Sequence, residues 1–110
     1  MTLTMIDGGN GIVAQSSGAQ SAIDERIVAA CAGVLDAFYD LGVMYSSGSA
    51  GVASDVIEAH KWFNIAASKG HEEAGWARSD VAEEMTAREI VEAQRRARQF
   101  LRSERGVKAA

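Results

Sequence analysis

The sequence predicts an all-α fold of about five helices. Three observations carry this. Apolar residues recur at i, i+3, i+4 and i+7 from Ser21 onward, and no stretch alternates with the period of two that a half-buried strand shows. Eleven glycines stand against no proline, so the helices are stopped by glycine in the left-handed conformation. One small-residue pattern also occurs twice, Ala29 to Ala37 falling on Ala66 to Ala74.

Each element has a local reason. Residues 1–20 read as a flexible tail, because Asp7-Gly8-Gly9-Asn10-Gly11 and Gln15-Ser16-Ser17-Gly18 bury too little apolar surface to offset their ordering entropy. The glycine-rich Asp7–Gly11 run lacks the second acidic ligand or framing strand of a cation or phosphate loop. The folded domain is expected over 21–103, with 104–110 as a second tail. Ser21 caps the first helix, Asp24 and Glu25 suit its positive end, and Gly33 stops it. The second helix spans 35–47, with Phe38, Leu41, Gly42 and Tyr45 on one face. Asp55 or Ser54 opens the third, whose stripe is Ala59, Trp62, Phe63, Ala66 and Ala67 and whose stop is Gly70. With Asp55 as the cap, Glu58 stands where a capping box needs it. A fourth helix is expected over 72–84. Thr86 and Glu89 form a capping box for a fifth, 87–102, with Ile90, Ala93, Ala97, Phe100 and Leu101 inward.

Both copies of the repeated pattern read A-A-x-x-G-x-x-x-A. Paired small residues let one helix end lie close to its neighbour, and the glycine turns the chain. Between the copies lie Ala37, Leu41, Gly42, Tyr45 and Gly48, then Gly51, Val52 and Asp55, then Ala59, Trp62, Ala66, Ala67 and Gly70. In that order these residues resemble the Sel-1-like repeat, a relative of the tetratricopeptide repeat. The loop around Ser49-Ala50 carries one extra residue. Ala29–Gly33 resembles the end of an earlier, degenerate repeat, and the segment after Ala74 departs from the pattern, resembling a capping helix pair. The resemblance implies a short tetratricopeptide-like solenoid of stacked helical hairpins acting as an adaptor, scaffold or regulator that binds another protein. Gly42 is expected to let the second helix approach the third, with Tyr45 and Trp62 around it.

No catalytic, cofactor or metal constellation emerges. The soft ligands are His60, His71 and Cys31, and none has the spacing of a metal site. His60 is expected on the surface, His71 in a turn, and Cys31 buried as a small apolar residue. One cysteine cannot form an intrachain disulfide. The Ser46–Gly51 loop lacks the lysine of a phosphate-binding loop, and no strand–turn–helix elbow presents a nucleophilic serine. The expectation is therefore a protein that is not an enzyme. The first ten residues have neither a basic nor an apolar region, and no run reaches the roughly 18 apolar residues of a membrane span. A cytoplasmic location without membrane contact follows as the expectation.

Charge is divided unevenly. The net charge is −4, yet the segment 86–110 carries seven basic residues against three acidic, and the remainder is correspondingly acidic. Arg88–Glu92 and Glu92–Arg96 are at i,i+4 spacing, an ordinary device for supporting a helix. The same helix puts Arg88, Glu92, Arg95, Gln99 and Arg102 on one outward face, suited to an acidic partner surface. On the second helix the outward positions are Asp36, Asp40, Val43 and Ser47, also candidates for contact with a partner protein. Self-association is the alternative, because solenoids need about three repeats for stability. Nucleic-acid binding through the last helix would work against the acidic remainder of the chain.

Overall fold

The computed structural model describes the backbone of residues 7–109, and side-chain surroundings from Gly18 to Glu104 except at Ala19 and Ala50. It is all-helical there: α1 (Asp7–Cys31), α2 (Leu35–Ser47), a single 3-10 turn (Ser49–Gly51), α3 (Val56–Ser68), α4 (Glu72–Ala82) and α5 (Ala87–Ala109). Five α-helices were expected, and α2 has the expected bounds. Two ends differ. α1 begins at Asp7, so Ser21 lies inside a helix and does not cap one. Glycines in 7–20 lower helix propensity, but no proline removes a ladder hydrogen bond, and Ile23, Ile27 and Ala30 anchor the helix to the core further on. The segment 104–109, expected as a tail, continues α5. Of the expected N-terminal tail, residues 1–6 lie outside the described residues.

The two copies of the repeated pattern make the same hydrogen-bonded stop. At the end of α1 the amide of Val34 donates to Ala29 O (3.0 Å) and that of Gly33 to Ala30 O (3.1 Å). At the end of α3 His71 N donates to Ala66 O (3.0 Å) and Gly70 N to Ala67 O (3.0 Å). Both are Schellman motifs, and both glycines have φ of 104°, a conformation that costs other residues a Cβ clash.

Helix starts follow the side chains available. Asp55 caps α3, its Oδ1 accepting from the amides of Ile57 (3.0 Å) and Glu58 (3.1 Å). Glu58 does not complete a box; its carboxylate turns to Lys61 and Arg96. Thr86 and Glu89 do complete theirs. Thr86 N donates to Glu89 Oε1 (2.9 Å) and Glu89 N to Thr86 Oγ1 (3.2 Å).

α3 is the central helix, packed against α2, α4 and α5. It is buried on more than one face, so Ile65 and His60 join Ala59, Trp62, Phe63 and Ala66 in the interior. Against α2 it runs antiparallel: Asp55 N donates to Tyr45 O at one end (2.9 Å), and Lys69 lies over the Phe38 ring at the other. Against α5 it runs parallel, tied near both ends by Glu58–Arg96 (2.8 Å) and Lys69–Glu104 (2.9 Å). Phe38, Trp62 and Phe100 close the core where α2, α3 and α5 meet, with ring centroids 5.2–6.1 Å apart. Buried large apolar side chains of this kind contribute roughly 1.5–3 kcal/mol each.

α2 and α3 approach each other closely at Gly42, as expected, but its neighbour is different. A Cβ built on Gly42 would sit 2.9 Å from Phe63 Cγ and nearer still to Cδ1 and Cε1. Phe63, not Tyr45 or Trp62, fills that space. Tyr45 is half-buried toward the loop, and Trp62 stacks on Phe38 (6.1 Å). Two further expectations are overturned. Cys31 is exposed: it is the last residue of α1 and borders the exposed turn at Ala32 and Gly33. His60 is buried, 3% exposed, because α4 covers the flank of α3 that a single-stripe reading leaves open.

Candidate functional site

The two histidines occupy the α3–α4 side. His71 is the N-cap of α4: its Nδ1 accepts from Ala74 N (3.1 Å) and its Nε2 pairs with Asp36 Oδ1 (3.0 Å). The acceptor role at Nδ1 makes Nε2 the protonated nitrogen, donating to the carboxylate. The ring also stacks on Tyr39, centroids 4.7 Å apart and 11° from parallel. An Asp–His pair invites a catalytic reading, but both ring nitrogens are already engaged, one of them by the backbone. The arrangement holds α4 against α2. His60 Nδ1 and Trp62 Nε1 are buried without a hydrogen-bond partner among the described residues. Burial pushes the His60 pKa down, and nearby Arg78 pushes the same way. Arg78 itself donates to Asn64 Oδ1 (2.6 Å) across the α3–α4 contact. Among the described residues no three His, Cys, Asp or Glu side chains gather as a metal site. No helix there is long and apolar enough to cross a membrane.

The α2 candidates are partly engaged. Asp40 pairs with Arg26 of α1 (3.5 Å), and Val43 with Met44 lines the shallow groove between α1 and α2. Ser47 Oγ turns back to Val43 O (2.8 Å), and Asp36 serves His71. The four are therefore not one free face: α1 lies beside two of them, and the other two are used locally.

The α5 candidates divide. Glu92 is drawn sideways by Arg95 (2.7 Å) and Arg96 (2.7 Å), whose hydrogen bonds hold its carboxyl down to about 2. Arg95 also donates to Gln99. Arg96 is raised by Glu92 first and then by Glu58, and with Glu58 it ties α5 to α3. Arg88 and Arg102 remain exposed and take part in no salt bridge among the described residues. Val91 and Arg98, which the sequence reading did not single out, complete their stripe. Arg88, Val91, Arg95, Arg98 and Arg102 follow the helical spacing of one face, opposite buried Ala93 and Ala97. Val91 is 61% exposed.

Alignment of the parallel helices α3 and α5 by their buried alanines gives that stripe meaning. Ala59 and Ala97 are equivalent buried positions on α3 and α5, just as Glu58 and Arg96 pair across them. By that alignment His60 and Asn64 correspond to Arg98 and Arg102. On α3 this flank is covered by α4; on α5 it is bare among the described residues. Tyr39 likewise corresponds to Trp76 in the 29–37 and 66–74 alignment extended by two residues. Tyr39 is covered by His71, whereas Trp76 is 69% exposed. The Tyr39–Trp76 correspondence was legible in the sequence through A-A-x-x-G; the α3–α5 alignment, one residue out of step with it, and the exposure were not.

Compared with family models, with curated proteins and with solved structures, the chain matches none of them. Its own surface offers two exposed features, an arginine stripe on α5 and Trp76 on α4.

Proposed function

We propose that the protein is a non-catalytic interaction module of Sel-1-like helical hairpins, binding a partner protein on the surface of α4 and α5. One observation carries the reading: positions covered by the next hairpin within the stack are bare, arginine-rich and aromatic on α4 and α5. Arginine and tryptophan are over-represented among the residues that dominate binding energy at interfaces. Such a surface suits an acidic partner with an apolar contact point. For a polyanion such as nucleic acid the same helix offers less, because Arg95 and Arg96 are already neutralised by Glu92 and Glu58.

The test is affinity capture from the native cell with mass spectrometry, comparing wild type with W76A/R98E/R102E and with D40R/V43D. Loss of partners in the first variant and retention in the second is the expected result. An undiminished set with W76A/R98E/R102E overturns the assignment of the surface. Binding to a duplex oligonucleotide that weakens steeply with salt would favour the nucleic-acid reading.

A further inference from the structure

We propose that the α5 stripe receives α1 of a second copy of this chain, so that copies stack head to tail. The inference rests on the reading above and names the partner of that surface. α1 presents its own unpartnered stripe. Ser21, Asp24, Glu25 and Val28 are all exposed at helical spacing, opposite buried Ala30 and half-buried Ile23, and Asp24 accepts only from Gln20 of the same helix among the described residues. Two carboxylates, Asp24 and Glu25, stand one turn before Val28, which is 69% exposed. On α5 Arg88 and Arg95 stand one turn before and one turn after Val91. The two stripes therefore match in kind, an exposed valine beside charges that are acidic on α1 and basic on α5. Complementary potentials of this sort select a partner and fix its register.

Position supports the match. α1 is the first and α5 the last of the described α-helices, and each keeps an exposed outward face. A second copy would place its α1 on the α5 face. α1 and α5 are different surfaces, so the contact is heterologous. It leaves one free α1 stripe and one free α5 stripe on every assembly, and it does not close at two copies unless the rotation happens to form a ring. A symmetric α5–α5 contact would bring arginines together and is disfavoured by their repulsion.

The test is the mass of the full chain in solution by sedimentation, over a concentration series at low and high salt. Wild type is expected to grow beyond a dimer as concentration rises, and to return to monomer at high salt as the charges are screened. R98E/R102E and D24R/E25R are each expected to associate at least about tenfold more weakly alone. Mixed, they regain association, because each supplies the intact stripe the other lacks. All four substitutions are at exposed positions, and helicity by circular dichroism confirms that each variant folds. A wild type that stays monomeric throughout overturns the proposal, as does an unaltered association in both variants. If wild type is monomeric while its captured partners are lost in R98E/R102E, the interaction surface stands and the second copy is rejected. If wild type associates as described but captures the same partners as R98E/R102E, the stacking stands and the binding of another protein there is rejected.

Discussion

Replacing Gly42 with alanine tests the contact on which the α2–α3 hairpin depends. The added methyl would lie 2.9 Å from Phe63 Cγ and nearer to two other ring atoms. Real Cβ contacts begin beyond 3 Å, so the ring or a helix must move. Phe63 is 2% exposed and its ring lies 5.6 Å from that of Tyr39, so it has little room to yield. Overpacking of this kind costs about 1–3 kcal/mol. Alanine at a helix-interior glycine gives back up to about 1 kcal/mol through propensity. The net expectation is a loss of roughly 1–2 kcal/mol, and each kcal/mol lowers Tm by about 4–8 °C in a domain near this size. Urea denaturation followed by circular dichroism reads it directly. A double-mutant cycle with F63L locates it, because a leucine lacks the ring atoms that the methyl meets, and G42A must cost less in that background. An equally or more stable G42A would refute the reasoning, since propensity alone would then be acting.

Further outcomes follow from the same geometry. H71A removes the α4 cap and the Tyr39 stack and is expected to cost about 1–3 kcal/mol, whereas D36N, altering an exposed carboxylate, costs under about 1 kcal/mol; urea midpoints separate them. Folding lowers the His60 pKa, so well above pH 6.5 both states are neutral there and the His60 contribution to stability is constant. As pH falls through 6.5 the unfolded chain takes up a proton that the folded chain resists, and stability drops until the lowered folded value is passed. Urea midpoints should therefore fall between pH 8 and pH 5.5, and fall less in H60L. Cys31 should react with a thiol reagent in the native protein at a rate close to that in denaturant; strong protection would place it inside.

How much of this was written in the residue order can be judged position by position. The stops at Gly33 and Gly70, the Asp55 cap and the Thr86–Glu89 box are local events, decided within five residues, and each formed where the pattern placed it. Gly42 was recognisable as a close-approach residue, but its partner was not. Phe63 and Trp62 both lie on the α3 stripe, and which one faces Gly42 depends on helix rotation across the hairpin. His60 was misplaced because one apolar stripe accounts for one neighbour, and α3 has three. On α5 the arginines were visible as a face, but which of them remain uncommitted depended on Glu58, a residue 38 positions away from Arg96. Trp76 could have been flagged from its alignment with Tyr39; its exposure needed the placement of every other helix.

The matched Schellman stops make the piece from Val34 to Gly70 an interchangeable cassette. Its leading edge emerges from one left-handed glycine, and its trailing edge delivers the chain onward through another of the same φ. Duplicated in tandem, the second unit would enter on the turn its predecessor provides, with its Val34 standing where His71 now caps α4. Lengthening this molecule by whole units is thus geometrically simpler than lengthening any single helix within it.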